Sequence, residues 1–266
     1  MSNNESIAWN EKYSRGREYA DLDDFLRFSH TNPTLKQIEP YIHNGACVLE
    51  IGSGTGELIS YLKHIYPSIQ AYGLDYSNEA IRRSQEITRK FNIPIKFMCG
   101  DVHALPYPDR HFDIVFGDHV IGHLNNVPVA LKEIRRVLKE GGVAAFTVGN
   151  SLRPDGWLLY KHISEKHTGY RQNSMFPWTL RNTMKRAGFK IVGTYGDLIF
   201  LFRNISILKN KLKKAGAKNT YNARVREKSD HENNTSKPSF VKRLYNFIEK
   251  HSFSFQKVTI GIIVRK

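Results

Sequence analysis

The chain has 266 residues, of which 40% are apolar and 24% charged, enough to bury a full core and ordinary for a globular protein. No run of about 18 apolar residues is present to cross a bilayer, and the polar N-terminus offers no signal-peptide core, so a cytoplasmic enzyme is the expectation. Net charge is +15, but residues 203–257 hold fourteen Lys/Arg against four Asp/Glu and therefore carry +10 of it, leaving the rest only mildly basic.

In chain order, the first 44 residues read as a helical cap. YADLDDFLRF places Tyr19, Leu22, Phe25, Leu26 and Phe28 at helical spacing; Pro33 interrupts, and Leu35, Ile38, Tyr41 and Ile42 mark a second short helix. From residue 46 the pattern alternates. ACVLEI is a strand closed by the cluster GSGTG, and Leu58, Ile59, Leu62 and Ile65 follow on one helical face. AYGLD is a second strand, after which Ser77 is placed to cap a helix bearing Ile81, Ser84, Ile87 and Phe91. IKFMC, FDIVFG and VAAFTV are three further strands. Between the last two, Val127, Leu131, Ile134, Val137 and Leu138 form a helical stripe, with Gly141-Gly142 as its predicted stop. WTLRNTMKRAGF reads as a helix ended by Gly188, FKIVGTY as a strand, and KVTIGIIVRK as the last strand. Cys47 and Cys99 sit in apolar runs without partners at metal-ligand spacing and are expected to be buried.

Strands apolar along their length, separated by helices, indicate a mostly parallel sheet covered on both faces. The fold class is thus α/β: a doubly wound, Rossmann-like, seven-stranded sheet in a single domain. Its expected parts are the cap (1–44), a nucleotide-binding core (45–150), a substrate-side segment with the sixth strand (151–195), a basic insertion (196–256) and the last strand (257–266).

The turn after the first strand is Glu50-Ile51-Gly52-Ser53-Gly54-Thr55-Gly56. Alternate glycines let backbone approach a ligand, and the helix that follows aims its free N–H groups there. A dinucleotide fingerprint wants a further glycine where this chain has Glu57, and a carboxylate is a poor neighbour for a pyrophosphate. Glu50 instead suits a ligand with a cationic head. Asp75 follows Gly56 by 19 residues, one helix and one strand, as a ribose-binding acid does. Glu50, Asp75 and Asp101 end three successive strands and converge on the crevice where open α/β sheets bind ligands.

These motifs resemble those of class I S-adenosylmethionine (SAM)-dependent methyltransferases, in particular the small-molecule group typified by ubiquinone and menaquinone biosynthesis (methyltransferase type 11). VLEIGSGTGEL is similar to their first motif, and GLDYS to the one whose acid, here Asp75, takes both ribose hydroxyls. CGDVHALPYPDRHFDIVF looks like the next two, with Asp101 implied to accept from the adenine amino group. The resemblance covers residues 45–150 well and 176–195 loosely, fades in the first 44, and is absent from 203–257. It implies SAM as cofactor, held by Tyr13, Glu50, Gly52, Ser53, Gly54, Gly56, Asp75, Tyr76, Asp101, Val102 and Asp118.

Methyl transfer from a sulfonium mainly requires alignment, plus a base where the acceptor is a hydroxyl or carbon acid. Asp118, His119 and His123 in GDHVIGHL belong at the mouth of the crevice. The two histidines share a face if the stretch is helical, and either one acts as general base or both simply line the pocket. No third ligand is placed for a metal. Tyr13 and Arg17 either fold over the cofactor or start a surface helix. Trp157, Tyr160, Tyr170, Phe176 and Trp178 either wall an acceptor pocket or belong to the core. In the insertion, ISILKNKLKKA and FVKRLYNFIEK are basic amphipathic helices that suit a lid, an anionic membrane or RNA. Three readings follow: methylation of a small molecule at oxygen or carbon, methylation of RNA or protein docked through the insertion, and an NAD-dependent or non-catalytic Rossmann protein.

Overall fold

A computed structural model describes residues 3–14, 17–151, 173–196 and 259–266. Trp157, Tyr160, Tyr170 and the whole basic segment with its two expected helices lie outside the described residues.

The N-terminal region forms α1 (Asn3–Ser14), α2 (Leu22–Leu26) and α3 (Pro33–Ile38), with short 3-10 turns at Ser29–Thr31 and Glu39–Tyr41. The expected cap helices are therefore broken into shorter pieces, of which α2 and α3 are each started by a side chain. Asp21 accepts from the Asp24 amide, and Asn32 accepts from the amides of Thr34 and Leu35, with Pro33 filling the first helical position.

The alternating region follows as β1 (Cys47–Ile51), α4 (Glu57–Ile65), β2 (Gln70–Asp75), α5 (Asn78–Lys90), β3 (Lys96–Cys99), β4 (Phe112–Gly117), α6 (Val127–Val137) and β5 (Leu138–Asn150). Then come β6 (Ser174–Met175), α7 (Pro177–Arg186), β7 (Lys190–Gly196) and β8 (Thr259–Arg265). The sheet order is β3-β2-β1-β4-β5-β8-β7, the seven expected strands, with the two-residue β6 added alongside β5. Every pairing is parallel except β5–β8 and β7–β8.

Both faces of the sheet are covered, which is why its central strands are apolar throughout. Along β1, Leu49 and Ile51 turn to one face, where Leu131, Ile134 and Val137 of α6 and Leu180 and Met184 of α7 close the core. Val48 turns to the other, against Leu35 and Ile38 of α3 and Ile59 and Leu62 of α4. These side chains are 0–2% exposed, so truncating any of the leucines to alanine costs about 2–5 kcal/mol. α5 is capped as its sequence indicates, the Ser77 hydroxyl accepting from the Ala80 amide. α7 ends where Gly188, with φ of +83°, lets the amides of Gly188 and Phe189 reach the carbonyls of Lys185 and Met184.

Three local expectations are corrected. Cys99 is exposed rather than buried, because β3 is the edge strand and has a neighbour on one side only. Gly141-Gly142 does not stop α6. The helix ends at Val137, Leu138 is already extended and pairs with Phe112, and the glycines fall where the β4–β5 register shifts before Ile114 meets Val143. The His119–His123 stretch is not an α-helix: His119 is left-handed (φ +60°) and a 3-10 turn covers Ile121–His123, so the histidines share no α-helical face.

Candidate functional site

β1, β2 and β4, with the loop after β3, carry their carboxyl ends to one cavity of about 150 Å³ that α1 covers. Of the residues singled out by sequence, Gly52, Asp75, Tyr76, Asp101, Val102 and Asp118 line it, and so do Tyr13, His119 and His123. Glu50, Ser53, Gly54 and Gly56 do not.

The turn between β1 and α4 explains that division. Gly52, Gly54 and Gly56 all have φ between +54° and +84°, a region side chains disfavour. A Cβ on Gly52 would stand 2.6 Å from Val120, and one on Gly54 would stand 2.8 Å from the Tyr13 hydroxyl. The loop is thus packed beneath Val120 and Tyr13. Gly56 faces Phe97 of β3, and the buried Ser53 hydroxyl turns toward Gly73 without a hydrogen-bond partner. Glu50 is 3% exposed and accepts from the Ile59 amide in the first turn of α4, a carboxylate at a helix N-terminus. Burial pushes its carboxyl well above the ordinary glutamate range, against the effect of that amide.

Asp75 lies at the end of β2 and bridges two loops. Its Oδ2 accepts from the Gly54 amide (2.8 Å) and its Oδ1 from the Ser77 amide (2.9 Å). Burial raises its pKa, while these amides and the nearby Lys12 ammonium oppose the rise. Lys12 lies 4.5 Å over the Trp9 ring, and its burial lowers its pKa against the pull of Asp75 and Glu57. Glu57 accepts from the hydroxyls of Tyr19 (2.5 Å) and Thr55 (2.7 Å). The residue replacing the dinucleotide glycine therefore ties the loop to the N-terminal region.

Asp101 accepts on Oδ1 from both the amide and the ring of His103. Burial would raise its pKa, yet these two donors hold it below the usual aspartate range. Asp118 accepts from the Asn32 side chain (3.2 Å) and the Thr147 hydroxyl, and that hydroxyl in turn accepts from the His119 amide (2.9 Å). His123 stands edge-on to Trp9, with ring centroids 5.1 Å apart.

Sequence reasoning missed Trp9 and Lys12 on α1, and also Asn32, His103 and Thr147, which orient the acids. His103 alone left a signal, two residues beyond Asp101 where a side chain can close a local turn. Arg17 pairs with Asp24 at the surface (2.5 Å), and Phe176 and Trp178 stack in the open, 39% and 55% exposed; none of the three lines the cavity.

The cavity's acceptor groups are compatible with SAM. Two carboxylates, one at the end of β2 and one in the loop after β3, offer hydrogen-bond acceptors to the cavity, and Gly52 brings backbone to its wall with no Cβ between.

Comparison with known proteins agrees. Residues 49–146 match the family described as "Methyltransferase domain". Malonyl-[acyl-carrier protein] O-methyltransferase of Halorhodospira halophila is 30% identical over 112 residues, 42% of this chain and 38% of that protein. Demethylmenaquinone methyltransferase of Staphylococcus carnosus is 32% identical over 133 residues, 47% of this chain and 53% of that protein. The chain thus spans about half or less of the length of these relatives. Among solved structures, Haemonchus contortus phosphoethanolamine N-methyltransferase 2, in complex with SAM, superposes with a TM-score of 0.60 at 18% identity, covering 98% of this chain and 56% of that one. That likeness concerns the fold. Residues 49–146 are a class I methyltransferase domain, and SAM is its cofactor. Among the described residues no helix is long and apolar enough to cross a membrane.

Proposed function

We propose that the whole chain is a SAM-dependent methyltransferase acting on a small-molecule acceptor, at oxygen or carbon. The observation that carries this reading is the meeting of Asp75 and Asp101 with Gly52 around one cavity, whose wall also includes Asp118, His119 and His123. Asp75 takes the ribose hydroxyls, Asp101 the adenine amino group, and Tyr76 and Val102 flank the nucleoside. Glu50, buried beneath the loop and outside the cavity, steadies the start of α4 by accepting from the Ile59 amide, while the turn Gly52–Gly56 supplies backbone.

SAM, when bound, supplies a methyl group on a good leaving group. The chain's own task is then to hold an acceptor in line, exclude water and remove a proton where the acceptor is a hydroxyl or carbon acid. His119 and His123 border the same cavity. His123 is the better placed base, since Trp9 fixes its ring; the His119 backbone is pinned by Thr147. Isothermal titration with SAM and with NAD tests the reading. SAM is expected to bind and NAD not; an NAD isotherm without a SAM one overturns it.

A second reading, in which RNA or a protein is the acceptor, has one observation on its side besides the basic segment. The groove between α6 and α7 is lined by Lys132, Arg135, Arg136 and Arg186. Arg136 is engaged by Glu133 and Asp109, whereas Lys132 and Arg186 have no acidic partner among the described residues.

A further inference from the structure

Asp101, which lies in the loop after β3 rather than at the strand's end as its sequence suggests, is held more tightly than a cavity-lining side chain needs to be. His103 sits two residues beyond Asp101, and its side chain is 16% exposed. Its backbone amide reaches Asp101 Oδ1 at 3.0 Å and its ring Nδ1 reaches the same oxygen at 2.6 Å. On the far side of the ring, Nε2 receives the Asn126 amide at 3.4 Å. That amide can only donate, so Nε2 is the acceptor and the ring proton lies on Nδ1, directed at Asp101. Asn126 is itself fixed, because its side chain caps α6 by accepting from the Val129 amide. The imidazole is therefore a strut between the α6 N-terminus and one carboxylate oxygen. With Oδ1 held by two donors, the carboxylate cannot turn about its own bond without breaking both.

We propose that His103 is a positioning residue for the nucleobase: by holding Oδ1 of Asp101 it fixes the plane in which that carboxylate meets an exocyclic amino group, and so sets discrimination between a 6-amino and a 6-oxo purine. The proposal rests on the reading of Asp101 given above. A fixed acceptor rejects a carbonyl oxygen because the two lone pairs face each other, whereas a carboxylate free to rotate turns aside and loses that selectivity.

The experiment measures binding of S-adenosylhomocysteine and of its 6-oxo analogue, S-inosylhomocysteine, by calorimetry to the full chain and three variants. His103→Ala is expected to weaken the adenosyl ligand by about tenfold and to narrow the ratio between the two ligands at least several-fold, roughly the effect of one charge-assisted hydrogen bond. His103→Asn places an amide NH₂ where Nδ1 stood and is expected to keep most of the ratio. General loosening of the fold would weaken both ligands alike, so the ratio separates positioning from structural support. A ratio unchanged in His103→Ala, or lost equally in His103→Asn, overturns the inference. Asp101→Ala distinguishes the levels of failure. If it lowers affinity and ratio while His103→Ala does neither, only the role of His103 falls; if it changes nothing, the reading of Asp101 falls and the inference with it.

Discussion

Asp75 and Glu50 were both legible as acids at strand ends, yet their surroundings give them different work. Asp75 faces the cavity with each oxygen already on a backbone amide, so it organises the Gly54 and Ser77 loops as well as meeting a ligand. Asp75→Ala should weaken SAM binding by about 10–100-fold, the worth of one or two hydrogen bonds to a charged group; titration of variant and parent checks this, with circular dichroism confirming that the variant is folded. Glu50 has one amide partner and almost no exposure. Its folded pKa lies well above the ordinary 4.5, so above that pH the folded protein holds a proton that the unfolded chain has released. Its contribution to stability is therefore greatest below about pH 4.5 and declines as pH rises through the folded value. Glu50→Gln removes that decline. The free protein's Tm at neutral pH should rise, by about 2–4 °C for each kcal/mol recovered, and the gap should shrink toward pH 5. A scanning calorimeter showing a lower Tm at both pH values would contradict the account. The sequence could supply the acid but not its depth, because Ile59 meets Glu50 only once α4 has folded back on β1.

At the scale of elements, the alternation of β1 to β5 with α4 to α6 was readable because burial on both faces leaves continuous apolar runs, and helices between them keep a stripe. α1 was not, since NNESIAWNEKYS has no apolar stripe. Its anchoring is instead polar and local: Asn10 accepts from the Ser77 hydroxyl at 2.7 Å, and Tyr13 lies over Gly54. The cavity beneath it, about 150 Å³, is smaller than the roughly 300 Å³ at which small-ligand pockets begin. A nucleoside bound there is therefore expected to displace α1. Hydrogen exchange across residues 3–14 should change when S-adenosylhomocysteine is added, and Asn10→Ala should speed exchange in the free protein; identical exchange with and without ligand would show that α1 is not the cover. The position of β3 at the sheet edge was equally invisible, because edge or centre depends on strand order and not on the strand's own residues. Its consequence is chemical. Cys99 is exposed and Cys47 buried, so a disulfide-exchange reagent should label one thiol per native chain, and Cys99→Ser should abolish that labelling. Two fast-labelling thiols would mean β1 is not where the fold places it.

Over the whole molecule, charge is unevenly divided, and the division decides between acceptor classes. Residues 203–257 supply +10 of the +15, while the domain itself presents Lys132, Arg135 and Arg186 in the α6–α7 groove. That groove lies between α6, packed on β5, and α7, packed on β7 and β8, whereas the cofactor cavity opens at the strands' carboxyl ends. If a polyanion docks in the groove, its affinity falls steeply with salt, each neutralised phosphate adding about −0.7 to the slope of log K against log salt for a single strand. Reversing Lys132 and Arg186 to glutamate should then flatten that slope by about 1–2, with S-adenosylhomocysteine affinity unchanged because neither residue touches the cavity. A small-molecule enzyme gives the opposite pattern: a shallow slope in the parent, no response to the reversal, and turnover of its acceptor insensitive to moderate salt. The same double variant, measured against a single-stranded RNA and against S-adenosylhomocysteine, separates the two readings. A basic groove that merely keeps the protein soluble leaves both measurements where they were. Only a docking surface moves the first without the second.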